Sequence, residues 1–138
     1  VLKLLIPIFD ERGALEAARH GAFLFAEHCV SEIEVVEVLD DVEYDRTTAF
    51  WTIAMRGQQE GDAMRNALGR TRAILDDARV PYTWTQAFGT PARTIATYAN
   101  RCRADIVVLD ASRLGLVRKW SVLFGLRRFT RTPVTILQ

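Results

Sequence analysis

Apolar residues recur along the chain at two alternating periods. Leu4-Leu5-Ile6-Pro7-Ile8-Phe9 is a continuous apolar run, the pattern of a strand covered on both faces. Asp10 ends it. Leu15, Ala18, Ala22, Phe25 and Ala26 then return at helical spacing, which predicts a first helix reaching about His28. Ile33 to Leu39 reads as a second strand, with β-branched Val35, Val36 and Val38. Met64, Leu68, Thr71, Leu75 and Ala78 mark a second helix. Tyr82 to Ala87 alternates, which suits an edge strand with one wetter face. Gly89-Thr90-Pro91 is a helix start: Thr90 supplies a capping hydroxyl, and Pro91 falls at the first helical position, where its missing N–H costs nothing. Ala92, Ile95, Ala96 and Ala99 form the buried stripe of that helix. Ile106 to Leu109 is the most strand-like run, a helix is predicted near Trp120 to Thr130, and Pro133 to Leu137 reads as the last strand. Asp40 to Gly57 has no clean period. It is rich in acids and aromatics (Tyr44, Phe50, Trp51) and reads as a long connection with some helix inside.

Strands alternating with helices predict an α/β fold, with a parallel sheet and right-handed crossovers. The apolar run at Leu4 to Phe9 belongs at the centre and the alternating Tyr82 to Ala87 at an edge. The expected order of the five strands is therefore 3-2-1-4-5, with helices on both faces in a Rossmann-like arrangement. No repeat, linker or low-complexity tract divides residues 1–138, so one domain is expected.

Composition narrows the function classes. The 138 residues are 49% hydrophobic and 25% charged, with a formal net charge of +1; this is a globular composition with too little net charge for bulk nucleic-acid binding. No stretch approaches the ~20 apolar residues that span a bilayer, so neither a membrane nor a nucleic acid is expected as partner. The first residues lack a small-residue cleavage site. There is no initiator Met, so the native start is expected upstream. Cys29 and Cys102 are far apart without C-x-x-C spacing, and His20 and His28 are the only histidines. This predicts two buried structural thiols, no zinc site and a reducing, cytoplasmic setting. Charge is uneven, however. From Ala111 to Gln138 there is no acid, whereas Arg113, Arg118, Lys119, Arg127, Arg128 and Arg131 are all cations.

In an open parallel sheet, ligands bind outside the carboxyl ends of the strands, where the strand order reverses. Asp10 ends the first strand, and Asp110-Ala111-Ser112-Arg113-Leu114-Gly115 follows the fourth. Val38 closes the second strand nearby. An acid, a small-residue loop and a basic run thus converge on one crevice. A helix beginning near Trp120-Ser121 would add free backbone N–H groups that favour an anion. Taken singly, Asp10 reads equally as a cap and the basic run as a solvated surface.

The chain resembles the universal stress protein family over nearly its whole length. Asp10 before a helix ending in Phe25-Ala26, the strand Val35-Val36-Glu37-Val38-Leu39, the helix start Phe88-Gly89-Thr90-Pro91-Ala92, the strand Ala104-Asp105-Ile106-Val107-Val108-Leu109, and Ser121-Val122 with Thr132-Pro133-Val134 all match its pattern in order. ATP-binding members carry Gly-x2-Gly-x9-Gly-Ser/Thr after the fourth strand, where bare backbone approaches the phosphates. This chain departs from that pattern. In one register Gly115 and Gly125 keep the nine-residue spacing, Ser112 replaces the first glycine and Leu126 the hydroxyl. In the other, preferred because it leaves the last helix its full length, Trp120-Ser121-Val122 replaces Gly-Ser-Val, and Asp110 and Arg113 replace the first two glycines.

The resemblance therefore implies a stress-responsive regulatory or interaction protein that does no chemistry itself, with weak nucleotide binding or none and an unidentified protein partner. The alternative it implies is an adenine-nucleotide sensor for ATP or AMP. There Asp10 and Val38 would hold the adenine and ribose end. Arg113, Ser121 and the amides of Ser121 and Val122 would hold phosphates, with Asp110, Ser112 and Gly115 lining the same loop. An enzyme, such as a weak ATPase, has no Ser/His/Asp set, paired carboxylates or metal cluster behind it in the sequence. The resemblance also implies a homodimer through the last strand, where Val134 and Ile136 make an apolar edge.

Overall fold

The computed structural model describes residues 1–8, 14–39, 66–111 and 115–137. Its elements are β1 (Leu2–Ile8), α1 (Leu15–Ala26), β2 (Val30–Leu39), α2 (66–77), β3 (Tyr82–Phe88), α3 (Pro91–Arg101), β4 (Ile106–Asp110), α4 (Leu116–Phe129) and β5 (Val134–Leu137). The five strands are all parallel, in the order β3-β2-β1-β4-β5. The sequence pattern predicts this order, with the most apolar strand at the centre. Asp10 and the long connection at 40–57 lie outside the described residues.

The core divides by strand parity, because successive side chains point to opposite faces. Leu4, Ile6, Ile8, Ile33 and Val35 face α1 and α2, where they meet Ala17, Ala18 and Leu75. Leu5, Val36, Val38, Val107 and Leu109 face α3 and α4, where they meet Ile95, Ala96, Ala99, Val122 and Leu126. Burying one such side chain is worth about 1.5–3 kcal/mol. β1 is hidden on both faces: Leu4, Leu5 and Ile6 are fully buried. That is why its sequence runs apolar instead of alternating.

Glycine sets the packing on the α3–α4 side. A Cβ built on Gly125 would lie 2.4 Å from the Ala92 Cβ. Only a bare backbone lets α4 come this close to α3, so Ala92, expected in the buried stripe, is half-buried at the helix–helix contact while Ile95, Ala96 and Ala99 fill the core.

Four expectations are corrected. Thr90 does occupy the N-cap position of α3, with Pro91 following, but its side chain makes no capping bond. The Thr90 carbonyl accepts the first bond of the helix, from Thr94 N–H at 3.0 Å. The last helix starts at Leu116, well before Trp120. Gly115 caps it with extended backbone, and Lys119 N–H already bonds the Gly115 carbonyl at 2.9 Å. Nothing between Leu116 and Trp120 breaks a helix, so propagation runs back to the glycine. Cys29 is exposed, in the turn after α1, where the chain passes through left-handed His28 at φ 61°. Cys102 is half-buried, and burial pushes its thiol above the usual range.

Candidate functional site

The order of the strands reverses between β1 and β4. From β1 the chain runs outward through β2 and β3 on one side, then returns to β4 and β5 on the other. This is the switch point at which a parallel sheet opens a crevice at its carboxyl end. Asp110, the last residue of β4, and the first turn of α1 meet there.

The first amides of a helix have no partner within it and must find one elsewhere. Ala14, the N-cap residue of α1, has no side chain able to provide one. Two residues distant in sequence do so instead. Thr71, fully buried on α2, accepts the Ala14 N–H at 3.4 Å while donating to the Ala67 carbonyl at 2.9 Å. Asp110 Oδ2 accepts the Glu16 N–H at 3.1 Å. A carboxylate at a helix N-terminus is also favoured by the macrodipole, by about 0.3–1 kcal/mol when exposed and up to ~2 when partly buried. The anion position that the end of α1 offers at the crevice is therefore taken by a side chain of the protein itself.

The other residues singled out in the sequence are not all brought to this place. Val38 lies near the carboxyl end of β2, opposite Ala87, with its side chain buried in the core against α3. Gly115 caps α4, exposed, with open space where a Cβ would be. Ser121 and Val122 are corrected. They fall in the second turn of α4, where backbone N–H groups bond the carbonyls four residues back. Val122 points into the core beside Leu126. Neither amide is free to hold a phosphate. Asp10, Ser112 and Arg113 lie outside the described residues.

A second polar cluster went unread in the sequence. Glu37 is 5% exposed on β2. Its carboxylate accepts Trp84 Nε1–H and, at 3.3 Å, Gln86 Nε2–H, both from β3. Arg72 on α2 lies 4.4 Å over the Trp84 ring. The available signal was a lone acid inside Val35-Val36-Glu37-Val38. α4 has a further unread feature, two apolar faces. Val122 and Leu126 pack inward, while Leu116, Val117, Trp120 and Phe124 face out, with Trp120 and Phe124 stacked at 5.7 Å.

Among the described residues, no group of three or more His, Cys, Asp or Glu could hold a metal ion, and no helix is long and apolar enough to cross a membrane.

Comparison with known proteins fits this geometry. The model of the universal stress protein family matches residues 2–134. No curated protein matches the sequence. Among solved structures, the chain is similar to universal stress protein UspA from Lactobacillus plantarum, with 18% identity over 99% of this chain and 97% of that one, at a TM-score of 0.67. It is similar to a universal stress protein from Archaeoglobus fulgidus solved in complex with dAMP, with 15% identity, 100% and 98% coverage, and a TM-score of 0.65. A universal stress protein solved in complex with cAMP gives 15% identity, 100% and 98% coverage, and 0.59.

Proposed function

Because the chain belongs to the universal stress protein family, we propose that it acts as a stress-responsive regulatory or interaction protein whose nucleotide site has been weakened from within. The observation that supports this is the bond from Glu16 N–H to the Asp110 carboxylate at 3.1 Å. The resemblance places a glycine of the phosphate loop where this chain has Asp110. A fixed negative charge there repels a triphosphate and competes for the amide an anion would use. The unbroken helix across Trp120, Ser121 and Val122 supports the same reading, since it withdraws amides that a loop would offer.

The adenine-nucleotide sensor remains the second reading, favoured by the dAMP and cAMP complexes of similar folds. The two readings part in a calorimetric titration with ATP and AMP at low and high salt. Weak binding, with Kd of high micromolar or above, where 1 mM corresponds to about −4.1 kcal/mol, and loss of that binding in salt support a weakened site. Asp110→Gly should then tighten ATP on the order of tenfold, the effect of about 1.4 kcal/mol. Low-micromolar, salt-insensitive ATP binding by the unaltered chain, or adenine nucleotide co-purifying at stoichiometric level, overturns the first reading in favour of the sensor. Steady phosphate release would support an ATPase instead.

We also propose a homodimer through β5. Val134 and Ile136 lie half-buried on a strand that ends the sheet, and such an edge is a liability unless something covers it. Light scattering at tens of micromolar reads this directly; a monomer there counts against it.

A further inference from the structure

We infer that the outward face of α4 is a docking surface for an anionic lipid bilayer. This goes beyond the nucleotide reading and does not depend on it.

The helix turns one apolar face inward and a second outward. Leu116, Val117, Trp120 and Phe124 are 70%, 84%, 50% and 63% exposed. Their spacing of one, four and eight residues from Leu116 puts them on one side of the helix. A helix that is apolar on both sides is ordinarily buried on both. Here Val122 and Leu126 already satisfy the core, so the outer stripe does nothing for the fold. Single exposed apolar residues need no explanation, but four contiguous ones on one helix mark an interaction surface.

Charge selects the occupant. Arg128 continues the stripe one turn beyond Phe124, Arg127 flanks it and Arg131 follows the helix, all three exposed. From Ala111 to Gln138 the sequence holds no acid. A helix that presents Trp, Phe and Leu beside a cluster of Arg and Lys has the composition of one lying in a membrane interface: rings and aliphatic chains among the acyl groups, guanidinium groups at the phosphates. No described helix is long and apolar enough to cross a membrane, and lying in its interface needs none that is.

Shape points the same way. Trp120 and Phe124 stand at the edge of a recess of about 600 Å³ between α4 and β5, with Arg127 and Arg131 beside them. Leu116 and Val117, the two most exposed of the four, lie clear of it, beside open space at Gly115, where a flat fluid surface can cover them.

The experiment is flotation of the full chain with vesicles of phosphatidylcholine alone and of phosphatidylcholine mixed with phosphatidylglycerol, at low and high salt. Binding is expected only to the mixed vesicles and should fall with salt. Arg127→Gln with Arg131→Gln should weaken it on the order of thirtyfold, about fivefold per cation. Trp120→Ser with Phe124→Ser should abolish it, with the far-ultraviolet spectrum unchanged because both side chains are already exposed. Three outcomes overturn the inference: no partition into the mixed vesicles at low salt; equal binding to both vesicle types; or a stripe variant that leaves vesicle binding intact and instead halves the molecular mass, which would make the stripe an interface between copies. Retention by immobilised polyglutamate without vesicle binding would likewise replace the bilayer with an acidic polypeptide.

Discussion

At one edge of the sheet, β3 is tied down by its own side chains. Trp84 and Gln86 donate to the buried Glu37, Arg72 covers the Trp84 ring, and the Tyr82 hydroxyl donates to Asp76 at 2.7 Å. At the other edge, β5 is four residues long, all half-buried, and flanked by a recess with Arg127 and Arg131 on its rim. Among the described residues, neither strand pairs with a further one on its outer side. At the β3 edge directional bonds lock the side chains in place. The β5 edge, with α4 beside it, is apolar and its charged side chains are all cations. The difference separates an edge held by its own side chains from one whose described side chains make no such ties.

The sharpest way to break that contrast is to remove Glu37. Glu37→Ala takes the acceptor from the half-buried Trp84 N–H, while the exposed Gln86 amide can turn to water. A donor left unsatisfied costs about 1–3 kcal/mol, so the variant should lose roughly that much in urea denaturation. Glu37→Gln keeps one accepting oxygen and should lose less. A loss below about 1 kcal/mol for the alanine variant would mean that the cluster is solvated and that the two edges do not differ as described.

Trp84→Phe isolates part of the same cluster. It keeps a ring under Arg72 but removes the donor to Glu37. The expected loss is about 1–2 kcal/mol, mostly from the carboxylate left with one partner fewer. A double-mutant cycle of Arg72→Ala with Trp84→Leu, which takes the ring away, should assign about 0.5–1 kcal/mol to the cation over the ring. No coupling would show that Arg72 only passes near Trp84.

At the opposite edge, a change of similar chemical violence should be tolerated by the fold. Ile136 is half-buried and pairs with Leu109 across the β4–β5 ladder. Ile136→Lys can carry its ammonium outward along an apolar stem and should cost only about 1 kcal/mol of stability. Its effect belongs to association: if β5 pairs with a second copy, the variant should be monomeric by light scattering where the parent is dimeric. An unchanged dimer mass would move the interface away from β5.

The same contrast governs what could be read without coordinates. Strand order was legible because burial leaves a direct mark on composition: β1 is covered on both faces and runs Leu4-Leu5-Ile6, while β3 sits at an edge and alternates. The Gly-Thr-Pro start of α3 was legible because backbone geometry dictates it. What escaped were features that depend on tertiary contact. Asp110 was visible as an acid at the end of β4, but its bond to the Glu16 amide joins residues 94 apart in sequence. Glu37 stood as a lone acid among β-branched residues, and its partners Trp84 and Gln86 lie 47 and 49 residues on, on β3. The start of α4 was misplaced because the sequence was aligned on a Gly-Ser-Val pattern, while local propensity carries the helix back to Gly115. The two apolar faces of α4 were present in its spacing, but periodicity alone does not say which face the core will take.

The smallest expected effect lies at the rim of the tied edge. The Tyr82 hydroxyl donates to Asp76, and this bond to a carboxylate holds its ionisation above the usual 10.0, with burial contributing less. Phenolate would have to give up that donation and face the Asp76 charge. The native state therefore keeps the Tyr82 proton at pH values where the unfolded chain has released it. With more protons bound in the native state than in the unfolded one, stability falls as pH rises. The contribution is fully present below about pH 10, the unfolded value, and is lost as pH climbs through the higher native one. Tyr82→Phe removes both the bond and the titration. At pH 7 the variant should be less stable by about 0.5–1 kcal/mol, the net worth of one exposed hydrogen bond. In urea midpoints measured from pH 8 to 11, the gap between parent and variant should narrow above pH 10. A gap that stays constant across that range would mean that Tyr82 and Asp76 are joined through solvent and that the β3 edge is held by Glu37 alone.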